Sequence, residues 1–357
     1  MPRIVTIRTV AERAGCSIAT VSRVINRSAP TSAEVDARVR AAIDELGFRP
    51  SEIGRALKTL KTRTVGVLIP SLTNPVFAAS VAGMQAAARE RRHTLLLTAT
   101  DYDPAAEAEL VETLVAQNVA GLVLTVACAS HNATLDLLEA ENIPFVLVHN
   151  EPDGDARAAV CVDNAAATSA LTEAMIAAGH RNIAYLAGRF ATSDRSLRRY
   201  EGYRAAMERA GLAATPPLEL DYLGDAPSHA AALAGLFGGK SSRKSAPTAA
   251  LCSNDLLALS VTGALRDLGI RVPDDVSVAG FDGIALGRAM SPSLATVDTP
   301  TRRMGEQAVE LLFEMIETGA APRVERLPFS LRSGGTLAAA PKPTRRQEPT
   351  PPSLPNT

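Results

Sequence analysis

The sequence predicts a small all-α head followed by a two-lobed α/β body, each lobe a parallel sheet covered by helices. Three observations predict it. The first 50 residues carry their apolar side chains at helical spacing in three short segments. From Thr64 onward, continuous apolar runs alternate with helix-length stretches. That alternation occurs twice, which calls for two sheets rather than one.

In the head, Thr6 is placed to cap a helix that turns Ile7, Val10, Ala11 and Ala14 to one face, and Gly15 ends it. Ser17 is placed to cap a second helix with Val21 and Val24 inward. Ser32 is placed to cap a third, with Val35, Val39, Ala42, Ile43 and Leu46 at helical spacing before Gly47. The body follows with strand-like runs at 65–69, 94–99, 121–126 and 145–148, then at 182–188, 248–253 and 276–280. Helices are expected between them, including 165–178, 198–210 and 254–268. The expected divisions are a head at 1–50, a hinge at 51–60 and a body at 61–337. Its lobes fall at about 61–162 plus 292–322 and 163–291 plus 323–337, with recrossings near 281–298 and 322–332. The stretch 238–247 reads as a surface loop. The Pro-, Thr- and Arg-rich tail, 338–357, reads as disordered.

Composition narrows the function classes. A chain of 357 residues that is 46% hydrophobic and 21% charged can bury a sizeable core. The net charge of -1 hides an asymmetry: residues 1–63 hold 12 Lys/Arg against 6 Asp/Glu, the remainder 25 against 32. A basic head on an acidic body points the head at a polyanion. Cys16, Cys128, Cys161 and Cys252 form no CxxC pair and are expected to be buried, reduced thiols. No apolar signal core or long apolar run is present, so a cytoplasmic protein without a membrane span is expected.

The most specific motif is TIRTVAERAGCSIATVSRVIN, residues 6–26. Two short helices flank a tight turn at Gly15–Cys16–Ser17. With Val21 and Val24 inward, the outer faces of the second helix carry Ile18, Ala19, Thr20, Ser22, Arg23 and Asn26. Small and polar residues there let the backbone enter a DNA major groove. Thr20, Ser22 and Asn26 suit phosphates, Arg23 a guanine edge or a phosphate, and Ile18 and Ala19 thymine methyls. Thr6 and Ser17, the caps, complete the candidate DNA-binding set in the head.

With this motif, the chain resembles the lactose-repressor (LacI/GalR) family. The likeness continues through ELGFRP (45–50), IGRAL (53–57), TVGVLIPSLTNPVFA (64–78), CVDN (161–164), AGHRNIAYLAG (178–188), RRYEGYRAAM (198–207), CSNDLLAL (252–259) and VPDDVSVAGFD (272–282). The segments 280–296 and 327–337 look like those of gluconate-type members. The resemblance implies a helix-turn-helix head on a periplasmic-binding-protein-like body, acting as a homodimeric transcription regulator, in the repressing sense, on double-stranded operator DNA. It also implies that the hinge, with Ser51, Gly54 and Leu57, orders on the operator and wedges Leu57 into the minor groove. Gly54 stands where the family usually carries alanine, at a helix cost of about 1 kcal/mol.

The body's expected ligand cleft lies at the carboxyl ends of the strands. Asn74 and Phe77 follow the first strand, His149 and Asn150 the fourth, and Asp163 opens the second lobe. Arg199, Asn254 and Asp282 follow the later strands, and by resemblance match family positions that bind ligand hydroxyls or carboxylates. Phe77, Phe190 and Phe281 are candidate apolar walls. Asp163 and Asp282 also read as turn or cap residues, Asn254 as a helix cap, and Arg199 as a surface pair partner, with Arg198 the better candidate for that. Where sugar-binding members often carry Asp, this chain has His149. The expected effector is a sugar or sugar acid, with a purine or another small metabolite as the alternative. No nucleotide-binding glycine turn, hydrolase elbow or metal-ligand cluster appears, so neither cofactor nor metal nor catalysis is expected. A transporter's solute-binding protein fits the body alone, but not the basic head.

Overall fold

The computed structural model describes residues 5–26, 29–48, 62–220, 226–237 and 246–341. The hinge residues Ser51, Gly54 and Leu57 lie outside these, as do most of the expected loop at 238–247 and the tail from 342. The chain divides into two compact units, Met1–Thr62 and Arg63–Thr357.

In the first unit, α1 (Ile7–Ala14), α2 (Ile18–Asn26) and α3 (Ala33–Leu46) enclose one small core built on Val10, Val21 and Val39, all fully buried. Local chemistry sets the boundaries. Thr6 and Thr9 form a reciprocal cap at the start of α1, and Ser32 caps α3. Gly15 and Gly47 end α1 and α3 at φ 64° and 60°, left-handed conformations that a Cβ disfavours.

The second unit starts with β1 (Thr64–Ile69), α4 (Pro75–Glu90), β2 (Thr94–Ala99), α5 (Ala106–Ala116), β3 (Leu122–Leu124), α6 (Ala133–Ala140), β4 (Phe145–Val148) and β5 (Ala159–Cys161). It continues through α7 (Asn164–Ala177), β6 (Ile183–Gly188), α8 (Asp194–Arg209), β7 (Leu218–Leu220), α9 (Ala226–Phe237), β8 (Ala249–Cys252), α10 (Asp255–Asp267), β9 (Ser277–Asp282) and α11 (Ala285–Ala289). The last elements are β10 (Ala295–Asp298), α12 (Thr301–Thr318), β11 (Val324–Arg326) and β12 (Ser330–Arg332). Two six-stranded sheets result, ordered β11-β5-β4-β3-β1-β2 and β12-β10-β9-β8-β6-β7. Among the described residues, all pairings are parallel except β10 with β12. The central strands are buried along their length because helices cover both faces.

Glycines let the paired helices approach closely. A Cβ on Gly83 of α4 would lie 2.0 Å from the Arg302 carbonyl oxygen, and one on Gly305 of α12 would lie 2.0 Å from that of Ser80. In the second lobe, a Cβ on Gly202 of α8 would lie 2.1 Å from the Ala165 carbonyl oxygen. Alanine at any of the three forces the helix backbones apart. These contacts fix α4 and α8, whose N-terminal ends carry most of the cleft residues described below.

The lobe boundaries differ from expectation. The strand at 295–298 lies in the second sheet, not with the first lobe, and 324–326 lies in the first sheet, not with the second. The chain recrosses at 299–300 and 327–329. Three-residue, charged strands such as VER and SLR carry no apolar run for a sequence reading to catch. Residues 338–341, read as tail, are tied to the second lobe: the Ala338 amide donates to Ser277 Oγ (3.1 Å) and that of Ala340 to the Ala178 carbonyl (2.9 Å). The thiols also differ. Cys161 and Cys252 are buried and free, but Cys16 and Cys128 are only half-buried, because both lie in turns or loops rather than strands. Among the described residues, no helix is long and apolar enough to cross a membrane.

Candidate functional site

The head presents α2 as a one-sided surface. Ser17 Oγ accepts from the Thr20 amide (3.1 Å), which starts the helix after the tight turn. Ser17, Ile18, Ala19, Arg23 and Asn26 are exposed, while Thr20 and Ser22 are half-buried. Asn26 Nδ2 donates to the Ser22 carbonyl (2.9 Å) and to Ser22 Oγ (3.2 Å), which ties its amide to the preceding turn of α2. The cations differ in availability. Arg13 is paired with Glu45 (2.6 Å) and Arg40 with Asp36 (2.5 Å), whereas Arg23 has no partner among the described residues. An unpaired guanidinium on the exposed face of the second helix is free for a phosphate or a base edge.

The body holds a narrow recess between its lobes, lined from both of them. The first-lobe wall begins with Asn74, whose Oδ1 caps α4 through the Val76 amide (3.2 Å) while its Nδ2 donates to Tyr102 Oη (3.1 Å). Phe77 meets the edge of His149 at 5.7 Å between ring centres. His149 leaves β4 at φ 72°, an uncommon conformation for a residue with a side chain. It is 8% exposed, and its Nε2 is buried without a hydrogen-bond partner. Burial, with Arg195 and Arg199 adding to it, holds the imidazole pKa down at about 3. We therefore expect its ring signals in an NMR titration to stay constant from pH 8 to pH 5. A midpoint near 6.5 would mean that the ring is not enclosed by this wall.

The second-lobe wall centres on Arg199. Its Nε donates to Asn164 Oδ1 (2.7 Å), its Nη1 to the Ser253 carbonyl (2.6 Å), and its Nη2 lies 3.3 Å from Asp282 Oδ1. The guanidinium sits 3.7 Å from the ring centre of Phe281, which supports it from behind. Asp282, at φ 109°, is held at the end of β9. Burial pushes its carboxyl up to about 6, against the opposing pull of Arg199 and Arg195. Next to it, burial and the charge of Asp282 push Asp255 to about 7, where it accepts from Thr296 Oγ1 (2.6 Å) and the Ile284 amide (2.8 Å).

Six of the eight anticipated ligand residues line this recess: Asn74, Phe77, His149, Arg199, Asn254 and Asp282. Asn254 does so while also capping α10 through the Leu257 amide (2.8 Å). Two do not. Asn150 is fully buried and pairs with Val126 through both amide groups, at 3.0 and 2.9 Å, while its Nδ2 also donates to Asp194 (2.8 Å). It joins the lobes rather than facing a ligand. Asp163 caps α7 through the Ala166 amide (2.8 Å), and its neighbour Asn164 is the residue that reaches Arg199. Phe281 serves as a support rather than a wall, and Phe190 packs on Tyr200 instead. Arg198 does pair outward, with Asp153 (2.7 Å).

Sequence reasoning missed Tyr102, Ser193 and Arg195, which also line the recess. For Arg195 a signal existed: it stands four residues before Arg199, on the same face of α8. Tyr102 reaches the wall from a turn at φ 61°, which no local pattern announces.

Residues 6–51 match the profile of bacterial regulatory proteins of the lacI family, and residues 172–337 that of periplasmic binding protein-like domains. The chain is 33% identical over 334 residues to the HTH-type transcriptional regulator GntR of Escherichia coli (strain K12), covering 93% of this chain and 98% of that protein. It is 34% identical over 336 residues to the ribose operon repressor of the same strain, covering 92% and 99%. The crystal structure of the Lac repressor dimer bound to operator and the anti-inducer ONPF superimposes with a TM-score of 0.80 at 27% identity, covering 94% of this chain and 99% of that one.

Proposed function

Because the chain belongs to the LacI family of bacterial regulatory proteins, we propose that it represses transcription as a homodimer on a pseudo-palindromic operator, with a sugar or sugar acid seated between its lobes as effector. It is a DNA-binding transcriptional regulator, and the names of its relatives support repression as the sense of control. The observation that carries the effector reading is a recess whose polar side chains come from both lobes: Asn74 and His149 from one, Arg195, Arg199, Asn254 and Asp282 from the other. A ligand that bonds to both walls favours one lobe angle over another. Affinity for DNA then follows the lobe angle as a population shift, which requires unequal ligand affinity for the two states.

The test uses the full chain. Operator fragments are selected from random DNA, and their affinity is measured with and without a panel of sugars and sugar acids. In parallel, a true ligand at 100 times its dissociation constant stabilises the body by about 2.7 kcal/mol, visible as a raised melting temperature. The expected result is a compound that raises the melting temperature and also changes operator affinity. A compound that does the first and not the second removes the switch.

A further inference from the structure

The two guanidiniums of the recess are not equivalent. Arg199 is spent on the protein: each of its three nitrogens has a partner, and Phe281 covers one face. Arg195 is 5% exposed and lines the same recess, yet it reaches protein groups through Nη1 alone, at the Val126 carbonyl (2.7 Å) and Asp194 Oδ1 (3.3 Å). Its Nε and Nη2 have no protein partner among the described residues. Those two nitrogens form the edge of a guanidinium that grips a carboxylate with two parallel hydrogen bonds. Asp194 does not fill that role, since its oxygens are engaged by Asn150 Nδ2 and by the Ala129 amide (2.9 Å). The opposite wall raises no obstacle to an anion. Asn74, Val76, Phe77, Tyr102 and His149 bring no carboxylate to it, and the imidazole is uncharged at neutral pH.

We infer that the recess takes a hydroxylated carboxylate anion, and that Arg195, not Arg199, holds the carboxylate. This rests on the recess being the effector site, and narrows it from sugars in general to their acids. A neutral sugar offers that edge only uncharged hydroxyl acceptors, whereas an acid meets it with a charged, two-pronged partner, and such charge-assisted pairs are roughly twice as strong. Arg195 also donates across the lobes to Val126, so an anion clamped on it acts on a residue that joins the two lobes.

The experiment is calorimetric titration of the full chain with D-gluconate, D-galactonate and D-glucuronate, each against its neutral counterparts D-glucitol, D-galactitol and D-glucose. The same titrations are run on Arg195→Gln and on Arg195→Lys, which keeps the charge but loses the fork. One of the acids should bind the native chain, and its neutral partner about 10- to 150-fold more weakly. Arg195→Gln should bring the acid down to the level of the neutral compound, and Arg195→Lys should recover part of the difference. Neutral compounds binding as tightly as their acids overturn the inference and leave the effector site standing. An acid preference untouched in Arg195→Gln reassigns the carboxylate to another group and overturns it as well. Binding by neither class removes the effector reading on which it stands.

Discussion

Arg23→Ala is expected to weaken operator binding about 5- to 150-fold, the equivalent of about 1–3 kcal/mol. The reason is availability. Of the arginines described above in the head, Arg13 and Arg40 are neutralised within it, whereas Arg23 is exposed and unpaired on α2. Removing it leaves the core untouched, because α2 packs inward through Val21 and Val24. Fold and thermal stability should therefore hold while DNA affinity falls. Titration against the operator and an unrelated duplex at several salt concentrations separates two modes. A base contact loses affinity on the operator alone. A phosphate contact loses it on both duplexes and lowers the salt slope by about 1. Unchanged operator affinity would sink the assignment of α2 as the recognition helix.

Asp282→Ala should be destructive in the body. It removes the carboxylate beside a guanidinium that is almost wholly buried, and breaking a buried ion pair from one side costs about 3–5 kcal/mol. The variant should melt several degrees lower, with any response to effector lost. The isosteric Asp282→Asn separates structure from charge, since its amide oxygen can still accept from Arg199 Nη2. The sign of its pH dependence follows from the raised carboxyl. Between about 3.8 and about 6 the folded state holds more protons at this site than the unfolded chain, so the native protein loses stability there as pH rises. Asparagine carries no such loss. The melting temperature of Asp282→Asn relative to the native chain should thus climb between pH 4 and pH 6. A flat difference would show that the carboxyl titrates as it does in water. His149 acts in the opposite sense, since its lowered value makes stability rise with pH from about 3 to 6.5, but it is common to both proteins and leaves their difference.

Asn150 and Asp194 show why contacts between the lobes matter to the same switch. The Asp194 carboxylate receives Asn150 Nδ2 and the Ala129 amide, and its own amide donates to the Ala127 carbonyl (2.7 Å). Arg195, the next residue, reaches Val126. The N-terminal turn of α8 is therefore bound to the loop after β3 across the lobe boundary. Arg195, which lines the recess, lies on that helix, so a ligand held there as proposed acts on the same element as the lobe contact.

What the sequence determined by itself was whatever depends on neighbours along the chain. The capped helices of the head, the turn at Gly15, the outward face of α2 and the long buried strands all follow from local caps, conformational preference and the spacing of apolar residues. Strand ends converge on a cleft in a parallel fold, which is why Asn74, His149 and Asp282 were legible as residues lining the recess. Tertiary structure alone decided which polar groups are left over for a ligand. Asn150 and Asp163 look as available in the sequence as Asn254, yet Val126 and Asp194 consume the first and the Ala166 amide the second. Arg199 looked like the carboxylate partner until Asn164, Ser253 and Asp282 were found on its nitrogens. The three-residue strands at 324–326 and 330–332 take their sheet from where the chain recrosses, not from their own residues. A buried hydrogen-bonding group is free or spent according to partners tens of residues away, and local spacing carries no record of them.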